Sequence, residues 1–219
     1  MQAYNYLLEV NNLSHKFDTL LYSEVHFQLY PQESLAILGT SGSGKSTILN
    51  HLSTLLPPQH GSISLAQYHD IYQLKEKDLL FLRQKILGII FQSHYLFRGF
   101  NVLENLRIAE LISNLQYNEK LLEHFGIANT LKQQIGQLSG GQQQRLSIAR
   151  ILTKQPRIVL ADEPTGNLDK DTAMNIMKYL FEYIQTQNAT LVLATHDNSL
   201  AENCTKIMLL ENKKLRILK

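Results

Sequence analysis

Eight residues restrict this chain more than all the others. Gly39-Thr-Ser-Gly-Ser-Gly-Lys-Ser46 fits G-x-x-x-x-G-K-[ST], with an apolar β-type run, Ser34 to Leu38, before it and a helical stretch, Lys45 to Leu52, after it. A Gly/Ser-rich turn with a chance lysine would need neither flank. A strand that feeds a helix through such a loop lets backbone N–H groups curl round phosphate oxygens, while the helix N-terminus adds partial positive charge. Lys45 is expected to reach the β- and γ-phosphates and Ser46 to ligate Mg²⁺. The candidate cradle is Gly39, Thr40, Ser41, Gly42, Ser43, Gly44, Lys45, Ser46 and Thr47.

That loop implies a parallel α/β core, and the remaining sequence supplies one. Ile86 to Ile90, Arg157 to Ala161 and Thr190 to Thr195 join Ser34 to Leu38 as nearly continuous apolar runs. Strands covered on both faces have this composition. Leu7 to Val10, Val25 to Leu29 and Ser62 to Leu65 read as a small antiparallel sheet. Between Gln92 and Arg150 strands stop and helical stretches follow: Val102 to Asn114, Asn118 to Phe125 and Gly141 to Leu152. The expected architecture is one domain, with a core lobe of about 1–92 and 153–219 and an inserted helical lobe of about 93–152. In the helix from Asp171 to Gln185, Met174, Met177, Phe181 and Ile184 recur at a helical period and are expected to pack the core.

Composition narrows the remaining classes. A net charge of +2 without a concentrated basic face gives no reason to expect a nucleic-acid partner. Four basic residues near the C-terminus, Lys213, Lys214, Arg216 and Lys219, fit a solvated edge hairpin. The single cysteine, Cys204, excludes an intramolecular disulfide and is expected to be a small buried group in a helix. No apolar run approaches the ~20 residues of a spanning helix, and residues 1–6 lack the pattern of a signal peptide.

Two further segments carry chemistry. Ile158-Val-Leu-Ala-Asp162-Glu163-Pro164 is a strand ending in two carboxylates. Alone it reads equally as a turn. After a phosphate loop, Asp162 suits Mg²⁺ through water, and Glu163 suits a base for the water that attacks the γ-phosphate. In Leu138-Ser-Gly-Gly-Gln142, Ser139 and Gln142 form an S-x-x-Q capping box. The cap leaves Gly140 and Gly141 unexplained, since glycines in a first turn each cost roughly 1 kcal/mol against alanine. Close approach of a phosphate to the backbone would explain them.

The order of phosphate loop, Gln92 after a strand, LSGGQ, Ala161-Asp-Glu-Pro164, Gly166-Asn-Leu-Asp169 and Thr195-His-Asp197 resembles the ATP-binding subunit of ABC transporters over essentially the whole chain. A GTPase would need N-K-x-D, and a nucleotide kinase would not carry LSGGQ. The resemblance implies the ABC ATPase fold: a P-loop NTPase core with a mostly parallel sheet, a small antiparallel β subdomain and an inserted helical subdomain. It implies ATP and Mg²⁺ as ligands, with Gln92 sensing metal and γ-phosphate and His196 acting beside Glu163. It implies an ATP-sandwich homodimer in which Ser139, Gly140, Gly141 and Gln142 close on nucleotide held by the partner, and Asn167 to Asp169 cross the interface. An aromatic upstream of the phosphate loop would stack on adenine: Phe17, with Tyr22 as competitor. Tyr95, Phe97 or Phe100 would help receive a short helix from an integral membrane permease. The branch resembled holds lipoprotein-releasing (LolD-like) ATPases, MacB-type efflux ATPases and the FtsE-type division regulator, with the first preferred. Such a protein would sit in the cytoplasm, peripheral to the bacterial inner membrane.

Overall fold

The computed structural model of the chain describes residues 6–166 and 168–219. The readings of residues 1–5 as free of an export signal, and of Asn167 as part of an interface loop, lie outside the described residues. Strands β1 (Leu8–Lys16), β2 (Leu20–Leu29) and β4 (His60–Leu65) form an antiparallel sheet in the order β2-β1-β4. Strands β3 (Ser34–Leu38), β5 (Leu87–Ile90), β6 (Ile158–Asp162), β7 (Thr190–Thr195), β8 (Lys206–Glu211) and β9 (Lys214–Ile217) form the second, in the order β5-β6-β7-β3-β8-β9. All its pairings are parallel except β8 with β9. Helix α1 (Lys45–Leu52) follows β3 and α2 (Glu76–Phe81) precedes β5. Helices α3 (Val102–Ser113), α4 (Glu119–His124) and α5 (Gly140–Thr153) lie between β5 and β6, and α6 (Lys170–Thr186) and α7 (Asn198–Ala201) flank β7.

The continuous apolar runs become the central strands because each of their faces meets a different core. Leu35, Ile37, Leu160, Val192 and Ala194 pack with Ile48 and Leu52 of α1 and with Leu13, Val25 and Ile63 of the antiparallel sheet. Ala36, Val159, Ala161, Leu191 and Leu193 pack with Leu106, Leu146, Ile148, Ile176 and Leu180 of α3, α5 and α6. Full burial of each such aliphatic side chain is worth about 1.5–3 kcal/mol.

The sheet order also positions the chemistry. β6, β7 and β3 are neighbours, so the carboxyl ends that carry Asp162, Thr195 and the phosphate loop emerge side by side. Parallel sheets place their ligands at this edge.

Two expectations need correction. On α6 the buried face is Ala173, Ile176, Met177, Leu180, Tyr183 and Ile184, whereas Met174 is 41% exposed and Phe181 only half-buried. Counting large apolar residues passed over Tyr183, which belongs inside because its hydroxyl donates to the Pro156 carbonyl at 2.8 Å. Cys204 is buried as expected, but in the bend after α7 rather than in a helix. There the chain must turn into β8, and Thr205 fixes the turn by exchanging hydrogen bonds of 2.7–3.0 Å with Ser34. The C-terminal hairpin is tight: Asn212 and Lys213 both take positive φ (51° and 64°), the conformation a two-residue hairpin loop demands.

Gly88 in β5 lets the edge strand meet α5 closely. A Cβ there would stand 2.6 Å from Pro156 Cγ and 2.7 Å from Ile151 Cγ2. Gly88→Val should therefore destabilise the chain by about 1–3 kcal/mol in urea denaturation, and an unchanged midpoint would refute the close-packing argument.

Candidate functional site

A cavity of about 710 Å³ opens at that strand edge, lined by Phe17, Leu21, Thr40, Ser41, Gly42, Gly44, Lys45, Ser46, Thr47, Gln92, Asp162, Glu163 and His196. Residues as far apart in sequence as Phe17 and His196 meet here. Gly44 shows why the loop must be glycine-rich: its φ is 110°, and a Cβ would stand about 3 Å from Leu21 and from the Tyr22 ring. The Lys45 side chain is buried, and its ammonium donates to the Gly39 and Thr40 carbonyls at 2.7 and 3.1 Å. It is thereby held in the concavity of the loop. The Ser46 hydroxyl faces the Asp162 carboxylate. Burial pushes the Asp162 acid upward, the Ser46 hydroxyl opposes this, Glu163 adds to it and Lys45 offsets part of it.

Glu163 is the most constrained residue of the site. Its φ of 44° is unusual for a residue bearing a side chain, and its N–H is tied to the Ala194 carbonyl at 2.9 Å. Backbone strain of this kind clusters at functional sites. One carboxylate oxygen lies 2.8 Å from His196 Nδ1, and the other accepts from Thr195 Oγ1 at 3.2 Å. With Nδ1–H donating, the neutral ring has its unprotonated Nε2 directed away from Glu163. The Glu163 side chain is only 15% exposed and that of His196 is 75% exposed. One partner is therefore sheltered while the other faces the opening. This pairing can take a proton from water and hold the charge that results.

Phe17 and Tyr22 are separated by burial. Phe17 is 61% exposed and lines the cavity, whereas Tyr22 is fully buried beneath the loop and has no face to offer a base. Gln92 lines the cavity just beyond β5.

Ser139, Gly140, Gly141 and Gln142 do not line the cavity. They form the tip of α5, capped as the spacing predicts: Gln142 N–H donates to Ser139 Oγ at 3.2 Å, and Ser139 N–H to Gln142 Oε1 at 2.9 Å. Beyond its chain neighbours and its own helix backbone, a Cβ on Gly140 would meet no atom of the described residues within 4 Å. No packing contact among the described residues requires a glycine there.

Two residues of the site escaped the sequence reading. Thr195 orients Glu163, and its place directly before His196 was the available signal. Gln144, 1% exposed, donates to the Pro164 carbonyl at 2.8 Å and ties α5 to the loop after Glu163. No local pattern marks it.

With the phosphate loop, the paired Glu163 and His196 and the remote capped glycines in place, comparison with known proteins is decisive. The chain belongs to the ABC transporter family, whose match runs over residues 22–166; it is an ATPase of that family. Its relatives include the lipoprotein-releasing system ATP-binding protein LolD of Pseudomonas syringae pv. tomato, 38% identical over 95% of this chain and 96% of that one. LolD of Ehrlichia chaffeensis is 40% identical over 86% of this chain and 83% of its own. Among solved structures, the dimeric post-hydrolysis state of the ATP-binding cassette MJ0796 bound to ADP and Pi superposes with a TM-score of 0.87 at 28% identity, over 97% and 98% of the two chains.

Proposed function

We propose that the chain is the ATP-hydrolysing subunit of a bacterial lipoprotein-releasing complex, working as half of an ATP-sandwich dimer on a membrane permease. The similarity to LolD of Pseudomonas syringae, which covers 95% of this chain, carries the reading.

In this reading residues 39–47 hold the triphosphate, Phe17 stacks on adenine, Glu163 deprotonates the attacking water, and His196 holds Glu163 and contacts the γ-phosphate. Gln92 links that phosphate to the helical segment 93–152, which acts as a lobe apart from the core of 6–92 and 153–219. Ser139 to Gln142 close on the partner's nucleotide, and Leu168 and Asp169 lie at the interface. The residues also fit Mg²⁺. Asp162 is a carboxylate whose charge is disfavoured by burial and faces a hydroxyl, and the described residues hold no cluster of three His, Cys, Asp or Glu side chains able to hold a metal. An ion held mainly by phosphate oxygens and water suits that donor set. Ser46, Asp162 and Gln92 would hold it, and it would neutralise phosphate charge.

A groove beside Gln92 supports a permease partner. It is lined by Leu87, Ile89, Phe91, Arg83, Arg150 and Lys154, and Tyr95, Phe97 and Phe100 stand exposed next to it. Arg150 lies 5.6 Å from the Phe97 ring centroid and donates to the Tyr95 carbonyl at 2.9 Å. A short amphipathic helix fits such a surface. Among the described residues no helix is long and apolar enough to cross a membrane, and peripheral attachment to the cytoplasmic face of the inner membrane follows from the permease contact.

Depletion of the chain in its bacterium tests the function. Lipid-modified proteins bound for the outer membrane should accumulate in the inner-membrane fraction. Their normal distribution, with only cell division or drug export disturbed, would refute lipoprotein release.

A further inference from the structure

Behind the Phe17 ring lies a polar cluster that phosphate chemistry leaves unused. His15, on β1, is 5% exposed; His51, on α1, and Tyr22, on β2, are fully buried. Both nitrogens of His15, Nε2 of His51 and the Tyr22 hydroxyl have no hydrogen-bond partner among the described residues. Buried polar atoms are rarely left unpaired, and four in one cluster call for an explanation.

Their placement supplies one. The His15 ring is clasped between two others: Phe17 meets it edge-on, with centroids 4.8 Å apart and planes at 78°, and His51 lies 4.7 Å away on a tilt of 60°. Tyr22 meets His51 at 6.2 Å and 80°, and its own ring abuts Gly44 of the phosphate loop. The cluster therefore touches both ends of the nucleotide site, the aromatic wall through His15 and the loop through Tyr22. Phe17 is mostly exposed, so the edge contact with His15 is the ring contact that fixes its orientation.

We propose that His15 is a positioning residue for the nucleotide base: its neutral ring, clasped by His51, holds Phe17 at the angle that receives adenine, and protonation of the pair releases Phe17. The proposal rests on the placement of the base against Phe17 and adds to it a proton-sensitive support.

The charge balance favours the neutral pair. His51 Nδ1 is 2.6 Å from the Leu56 carbonyl and so carries the hydrogen, leaving Nε2 as a bare acceptor. The titratable groups that face the pair are Tyr22 and Tyr72, the latter donating from the turn at Ile71–Gln73 to the His51 carbonyl at 2.8 Å. Burial raises the pKa of both phenols, so neither offers a negative charge. Among the described residues no carboxylate forms an ion pair with either imidazole. Burial lowers the pKa of both histidines; at His51 the hydrogen bond to the Leu56 carbonyl opposes this and a charge on His15 adds to it. The sign follows. The unfolded chain takes up these protons near pH 6.5, before the folded cluster does. The intact cluster is thus unpenalised above that pH and is progressively destabilised as pH falls below it.

The test is ATPase kinetics on the full chain, in whatever dimer it forms, between pH 7.5 and 5.5. His15→Ala should raise the KM for ATP about fivefold or more, the scale of a lost base stack, with kcat at saturating ATP within about twofold. Binding of inorganic tripolyphosphate, which has no base, should not change. His15→Phe keeps a ring in the clasp and removes two unpaired nitrogens, so it should melt at or above the native temperature. Its KM should stay within about twofold of native at pH 7.5 and lack the acid-side rise expected of the native chain. If His15→Ala is too unstable to assay, the native and His15→Phe profiles decide alone. An acid-side KM rise identical in the two overturns the proposal, as does an unaltered KM in a folded His15→Ala. Phe17→Ala separates the two layers. If its KM is unchanged, the base does not sit on Phe17 and that reading fails; if its KM rises while the His15 variants behave as native, only the positioning role fails.

Discussion

Glu163→Gln should bind ATP as the native chain does, slow its hydrolysis by about 10²–10⁴-fold, the usual worth of a positioned general base, and accumulate as a dimer. The carboxylate is already oriented by His196 at 2.8 Å and Thr195 at 3.2 Å, and its backbone is held in a left-handed conformation. Glutamine preserves the shape and one acceptor oxygen but takes no proton from water. In the proposed site it also removes a negative charge from beside the γ-phosphate, so the nucleotide-bound dimer should outlast that of the native chain. Single-turnover phosphate release and gel filtration with ATP and Mg²⁺ read the two effects separately. Turnover at the native rate would remove Glu163 from the role of base.

The second large effect concerns whether one protomer holds a whole site. Lys45→Ala removes the cation from the cradle, and Ser139→Arg places a bulky side chain on the tip of α5, outside the lining of its own chain's phosphate-loop cavity. Each homodimer should lose about 10²–10³-fold in turnover, the scale of a lost electrostatic contact to a transition state. An equimolar mixture should regain activity. In the mixed dimer one site inherits both lesions, and the other joins an intact cradle to an intact helix tip. If Ser139→Arg is fully active by itself, or the mixture stays dead while mixed dimers form, each protomer completes its own site.

Legibility in the sequence followed the range of the interactions. β3 and α1 begin and end where the residues around the phosphate loop predict, because that motif contains its own strand exit, turn and helix start. The cap of α5 was legible for the same reason, Ser139 and Gln142 being one turn apart. Contacts between distant segments were not. Thr195 meets Glu163 across 32 positions and Gln144 meets Pro164 across 20. The choice between Phe17 and Tyr22 turned on burial, Tyr22 being enclosed on β2 and Phe17 exposed in the turn before it, and the pairing of His15 with His51 needs a strand laid against a helix. On α6 the period was visible but its phase was not, because Tyr183 is drawn inward by a carbonyl 27 positions away.

Helix α5 has one more implication. Its fourteen residues span ~21 Å at 1.5 Å per residue, from Ser139 at one tip to Arg150 and the adjoining Lys154 at the other. Leu146, Ile148, Ala149 and Leu152 bed its middle in the core, and Gln144 fastens it to the strand end behind Glu163. Such a rod transmits displacement rather than absorbing it. On the proposed function, a tug of an ångström at the Arg150 end would arrive, little diminished, at Ser139, so the geometry of the proposed membrane contact and the gap over the partner's nucleotide would be two readings of the same dial.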